Sequence, residues 1–313
     1  MSNLLNLDEL FEQRVTFPDF AAQERLNSLI GIDDQKNRLT KILSILVNPT
    51  GLETWAGKHH PGSESLMNTV LRRPPLVVLA GDVGSGKSEL AETIGDSVAR
   101  QEGIEITLFP LSLSTRGQGR VGEMTQLLSS AFDHAISEGK KLKSSTTNRA
   151  RGGIVLLIDE ADALAQSRET TQMHHEDRAG VNAFIRGIDR IKNSHLPIAV
   201  IMCTNRLGAL DPAVKRRSAD ILAFKRPNDD QRCAVLSSRL QTLGFTPSQI
   251  KQLVVATGPT AERKYGFTFS DITQRLLPTI VLDAYPNHPV SAARAMEIAQ
   301  TLIPTPPFQE QQL

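Results

Sequence analysis

Two patterns alternate along this chain: short, nearly continuous apolar runs, and longer stretches in which apolar residues recur every three or four positions. Residues 76–80, 154–158 and 197–203 are runs of the first kind, and residues 105–112 read as a further strand. Runs of this length with no polar alternation suit strands of a parallel sheet covered on both faces. Helical patterns lie between them, over residues 88–100, 123–138 and 180–191. This order predicts an α/β fold, a three-layer sandwich with a parallel sheet in the middle. Residues 221–224 add a last strand. Upstream, residues 1–28 read as a helical lead-in, and a helix is expected from about Asp33 to Leu46 with Leu39, Ile42, Leu43 and Leu46 on one face. Residues 48–73, rich in Pro, Gly, His and Ser, read as a surface connection.

After Pro227 the pattern changes. Residues 229–242, 246–256, 269–286 and 290–303 read as helices with no strand between them, which predicts a small all-helical domain. The expected organisation is therefore a lead-in over 1–28, a large α/β domain over 29–227, a helical lid over 228–303, and a disordered Pro- and Gln-rich tail over 304–313.

Composition removes several classes. The net charge of +1 across 313 residues gives no overall pull toward nucleic acid or membrane, and an aromatic content of 4% does not suit a base-stacking platform. The basic stretch 140–153 reads as a solvated loop. Cys203 and Cys233 have neither disulfide-framework nor metal-site spacing, which suits a reducing compartment. The first residues lack the basic start and apolar run of a signal peptide, and the apolar runs are too short to span a bilayer. A soluble, cytoplasmic protein is expected. His174-His175-Glu176-Asp177 reads as a polar loop, because adjacent residues rarely converge on one ion.

The chemistry concentrates in two places. Gly81-Asp82-Val83-Gly84-Ser85-Gly86-Lys87-Ser88 matches G-x-x-x-x-G-K-[ST], between a predicted strand and a predicted helix. Its glycines let the backbone curl so that N–H groups face phosphate oxygens, and the following helix N-terminus adds positive character. Lys87 is expected on the β- and γ-phosphates of ATP and the Ser88 hydroxyl on Mg²⁺, with Glu89 beside them as a further nucleotide contact. The strand 154–158 ends in Asp159-Glu160, where carboxylates would face a ligand crevice. Asp159 is expected in the Mg²⁺ shell and Glu160 on the attacking water.

Further residues bring a family resemblance. Cys203-Thr204-Asn205-Arg206 and Asp211-Pro212-Ala213-Val214-Lys215-Arg216-Arg217 resemble the sensor-1 and arginine-finger segments of AAA+ ATPases. Leu29-Ile30-Gly31-Ile32-Asp33 is similar to the segment that packs on adenine there, and Gly266-Phe267-Thr268-Phe269-Ser270-Asp271-Ile272 is similar to part of the helical lid. The resemblance covers residues 28–300. It implies an AAA+ module in which Ile30 and Gly31 contact nucleotide, Asn205 positions water, and Arg216 or Arg217 completes a neighbouring protomer's site. Arg275 lies near the position of a second sensor.

Val181-Asn182-Ala183, the stretch Gly187-Ile188-Asp189-Arg190-Ile191-Lys192 and the Arg217-Ser218-Ala219-Asp220-Ile221 ending are similar to the pachytene-checkpoint AAA+ family. That resemblance implies a homohexameric ring acting on a HORMA-domain protein, which it partly unfolds. Bacterial relatives sit in antiphage signalling systems with cyclic-oligonucleotide synthases, so such a synthase becomes an indirect partner. Two departures stand out. Only residues 1–28 precede Leu29, where eukaryotic members carry a substrate-recruiting domain. The first pore loop reads Gly119-Arg120-Val121-Gly122-Glu123, without the usual aromatic, so Arg120 with Met124 would grip substrate, together with a second loop near residues 166–178. Remodelling of another protein client and a DNA-linked loader are the alternatives; membrane and nucleic acid are not expected as partners.

Overall fold

The computed structural model describes residues 10–113, 122–143, 150–165, 175–206, 210–261 and 263–308. They fall into two compact units. One holds the described residues of Met1–Asn27, Asp34–Ala80 and Ser88–Ala223, the other those of Ser28–Asp33, Gly81–Lys87 and Phe224–Leu313.

The first unit begins with β1 (Val15–Phe17), α1 (Phe20–Ser28) and α2 (Asp33–Val47), then α3 (Pro49–His59) and α4 (Glu64–Leu71). The alternating part follows: β2 (Leu76–Gly81), α5 (Lys87–Thr93), α6 (Gly95–Glu102), β3 (Glu105–Ser112), α7 (Glu123–Leu142), β4 (Gly152–Asp159), α8 (Asp162–Ala165), α9 (His175–Ser194), β5 (Ile198–Thr204), α10 (Pro212–Lys215) and β6 (Ser218–Phe224). The strands form one six-stranded sheet in the order β1-β3-β4-β5-β2-β6. β3, β4, β5 and β2 run parallel, and every residue of β2 and β5 is buried, as their unbroken apolar sequences require. Against the sheet, α7 and α9 meet through the fully buried Phe132 and Phe184, ring centroids 6.0 Å apart. Burying one such side chain stabilises by about 1.5–3 kcal/mol.

Two stretches depart from the sequence reading. The lead-in is not wholly helical: Val15–Phe17 pairs antiparallel with β3, Phe17 opposite Ile106, so the sheet is mixed rather than purely parallel. Three residues are too short for periodicity to register, and Phe17 is fully buried. Residues 48–73, read as a connection, instead contain α3 and α4. Pro49 stands in the first turn of α3, where a missing N–H is not needed, and the Gly and His content masked the helix.

The second unit is helical. It contains α11 (Asp229–Leu240), a 3₁₀ turn (Gln241–Leu243), α12 (Pro247–Ala256), a π-helical segment (Asp271–Leu276), α13 (Leu277–Ala284) and α14 (Ala292–Thr301). Capping boxes start α11 (Asn228 with Gln231) and α12 (Thr246 with Gln249). Its own core gathers Leu236, Phe245, Leu253, Phe267, Ile272, Leu276 and Ile298. Residues 304–308, expected to be disordered, are tied in: Thr305 donates to Asp271 from its N–H (3.0 Å) and its hydroxyl (2.7 Å). The sequence hid this because the acceptor, Asp271, is distant in the chain and fully buried.

Candidate active site

β2 delivers the chain directly into the phosphate loop. At Gly81 a Cβ would fall 1.9 Å from the Phe224 carbonyl oxygen, which accepts the Asp82 N–H at 3.2 Å; only glycine fits between the strands here. Gly84 has φ +67°, and a Cβ there would lie 2.8 Å from Thr268 Oγ1. Lys87 is buried, and its Nζ donates to the carbonyls of Gly81 (3.0 Å) and Asp82 (2.6 Å) and to Ser85 Oγ (3.3 Å). The lid residue Ser270 donates its N–H to the Gly84 carbonyl at 3.0 Å. The Gly31 carbonyl accepts from Gln231, and Ile30 packs on the helical core. Glu89 is held by Arg25 through both carboxylate oxygens, at 2.7 and 3.1 Å. That hydrogen bond is the main influence raising the Arg25 pKa above its ordinary value. Val83 is exposed, and Ser88 is half-buried in the first turn of α5.

Asp82 was expected among the nucleotide-binding residues of the loop; its carboxylate is also a hub. Its Oδ2 accepts from Arg226 Nε at 2.6 Å, and its Oδ1 accepts from the N–H groups of Val83 (2.9 Å) and Phe308 (3.3 Å). Arg226 carried no motif and was not foreseen.

In the first unit, register places Ala80 beside Thr204 and Ile158 beside Met202, so β2, β5 and β4 end side by side. Asp159 closes β4. Glu160 follows in the left-handed region at φ +52°, rare for a residue with a Cβ, and its N–H donates to Asp159 Oδ1 at 2.8 Å. The Ala161 N–H donates to the Cys203 carbonyl at 2.9 Å, which locks this corner to β5. Asp159 and Glu160 line a cavity of about 200 Å³ with Glu12 and Glu92. Asn205 is fixed by Asp162, which accepts its backbone N–H at 2.7 Å, its side-chain amide at 3.1 Å and the Thr204 hydroxyl at 2.7 Å. Sequence reasoning missed Asp162; the available signal was a third carboxylate closing Asp159-Glu160-Ala161-Asp162.

The arginine pair divides. Arg217 forms a two-pronged ion pair with Asp189, at 2.8 and 3.0 Å, and that hydrogen bonding is what chiefly raises its pKa. Arg216 is exposed. Pro212 at the start of α10 and the Asp211 side chain, accepting the Ala213 N–H at 2.7 Å, set the turn that carries both. In the lid, Arg275 donates to Asp271 Oδ1 at 2.8 Å. Arg120, Val121 and residues 166–174 lie outside the described residues.

Against known proteins, residues 77–226 match the model of the ATPase family associated with various cellular activities (AAA). CD-NTase-associated protein 6 of Escherichia coli strain MS 115-1 is 64% identical over 98% of both chains, and its namesake from strain KTE188 is 34% identical over 96% of this chain and 98% of its own. The chain belongs to the CD-NTase-associated protein 6 family of AAA ATPases. Among solved structures, a chain in the E. coli MS115-1 HORMA:CdnC:Trip13 complex is 63% identical, with TM-score 0.89, covering 97% of this chain and 99% of that one. Rhizobiales Trip13 is 56% identical, with TM-score 0.75, over 95% of this chain and all of its own. C. elegans PCH-2, at 16% identity and TM-score 0.60, shares the fold.

This AAA ATPase binds nucleotide and hydrolyses ATP, and the residues of the loop fit that ligand. The loop folds around a buried Lys87 ammonium, a cation suited to phosphate oxygens and held by the Gly81 and Asp82 carbonyls. Among the described residues, no helix is long and apolar enough to cross a membrane.

Proposed function

We propose that this ATPase works as a homohexameric ring in the cytoplasm, uses Mg²⁺, and partly unfolds HORMA-domain proteins, thereby resetting a signalling complex that contains a cyclic-oligonucleotide synthase. The observation that carries this reading is the near full-length likeness, at 63% identity, to a chain of a HORMA:CdnC:Trip13 complex.

Each residue then has a task. Backbone N–H groups of the loop from Gly81 to Ser88 take up the phosphates, and Lys87 shares its charge between loop carbonyls and the β- and γ-phosphates. Ser88 and Asp159 would hold Mg²⁺, which would supply charge neutralisation for the transferred phosphoryl group. Glu160, aimed by its left-handed backbone, orients the attacking water as Asn205 does from its Asp162 anchor. Arg216 reaches the neighbouring protomer's site, while Arg217 holds the segment through Asp189. Ile30 and Gly31 border the base. Motion of the lid on hydrolysis drags the central loops, with Arg120 and Met124 as the grip.

Limited proteolysis of a folded HORMA-domain protein tests the client. ATP with the wild-type ring should expose new cleavage sites, and Glu160→Gln should abolish that effect. Stimulation of turnover by DNA and not by the HORMA-domain protein would instead favour a loader.

A further inference from the structure

A phosphate cradle with a carboxylate built into it is electrostatically at odds with its task. Asp82 directly follows the first glycine of the loop, so a fixed negative charge sits on the segment that receives a polyanion. The pair it forms with Arg226 is largely sheltered, the side chains being 17% and 14% exposed. Arg226 is unusually well fixed for a long side chain. Its Nε donates to Asp82 Oδ2 at 2.6 Å, Nη1 to the Gly266 carbonyl at 2.7 Å and Nη2 to the Thr305 carbonyl at 2.8 Å, and its guanidinium lies 4.9 Å from the Tyr265 ring centroid. A planar fork that meets three acceptors and an aromatic face is work that lysine cannot reproduce.

We propose that Arg226 is a positioning residue for nucleotide: it cancels the Asp82 charge and turns that carboxylate onto the lid, so that the loop presents N–H groups and Lys87 rather than an uncompensated anion to the phosphates. This inference rests on the reading of the loop as the nucleotide site. If it holds, the effect of losing Arg226 grows with the charge of the ligand, so ATP suffers more than ADP. It also shrinks with salt, since the screening length falls from about 10 Å at 0.1 M to about 3 Å at 1 M. Removing the Asp82 charge as well relieves it.

The test is equilibrium binding of fluorescent ATP and ADP analogues to the full chain carrying Glu160→Gln, which prevents turnover, with thermal unfolding of the nucleotide-free proteins measured alongside. Arg226→Gln should weaken ATP about tenfold at low salt, on the scale of one charge–charge interaction near a protein surface, and ADP by less. Asp82→Asn combined with Arg226→Gln should recover most of the loss, and Arg226→Lys should lose less than Arg226→Gln. Equal losses for ATP and ADP with no recovery in the double variant would overturn the proposal by reducing Arg226 to a structural strut. So would unaltered binding in Arg226→Gln when Lys87→Ala abolishes binding. Should Lys87→Ala itself bind as tightly as its parent, the assignment of the loop fails, and this inference with it.

Discussion

Single residues carry most of the chemistry, and their surroundings separate roles that look alike in sequence. Arg216 and Arg217 are adjacent and chemically identical, but Asp189 holds one of them. Arg216→Ala should therefore cut ATP turnover by about 10³-fold while leaving nucleotide binding intact, as measured by a phosphate-release assay beside a binding titration. Arg217→Ala should also lower the melting temperature, because Asp189 loses its partner. Asp162→Ala should reduce turnover by loosening Asn205, with little change in nucleotide affinity. Asp271 is a different case. Burial, the largest influence on it, pushes its pKa up, but hydrogen bonds from Thr268, Thr305 and Arg275 outweigh that and leave it below the ordinary carboxylate value. A depressed folded-state pKa gives stability that is complete above the unfolded value and lost as pH falls through the folded one. Melting temperatures of wild type and Asp271→Asn should differ most at neutral pH and converge in acid; a constant difference would contradict this assignment.

Elements show where periodicity succeeds and where it stops. Three of the four central strands were legible because apolar runs of five to seven residues flanked by turns admit few other readings, and residues 105–112 read as the fourth. α3 and α4 were obscured by a Pro, Gly and His content that mimics a loop, although Pro49 sits where a helix tolerates it. The strand Val15–Phe17 has meaning only through its partner β3, which no local pattern encodes. The C-terminal segment resembles it in this respect: Thr305 and Phe308 are ordered by Asp271, Arg226 and Asp82, all far away in sequence. Truncation after Pro304 removes both capping contacts of Thr305 on Asp271. It should lower the melting temperature and weaken nucleotide binding together, as read by differential scanning fluorimetry with and without ADP; stabilisation by ADP equal to that of the full chain would argue against a link between tail and loop.

At the scale of the whole molecule, the phosphate loop and the acidic strand end stood out in the sequence because their residues are contiguous and follow apolar strands. Asp162, Asp189 and Arg226 did not, since each acts by supporting another residue across the fold, and a lone charged side chain carries no signature of what it supports. The proposed ring and client rest on the likeness to family members, since a single chain encodes neither. In the proposed ring a second protomer's arginine completes each site, so activity should depend on how subunits are mixed.

That dependence can be measured directly. Arg216→Ala and Glu160→Gln proteins should each be nearly inactive in ATP hydrolysis when alone. Subunits exchanged between the two preparations should regain a clear fraction of turnover, because some sites then pair an intact Glu160 with a neighbour's intact Arg216. Full activity of Arg216→Ala by itself, or a mixture as silent as both parents under conditions where subunit exchange is demonstrated, would contradict a site completed between protomers.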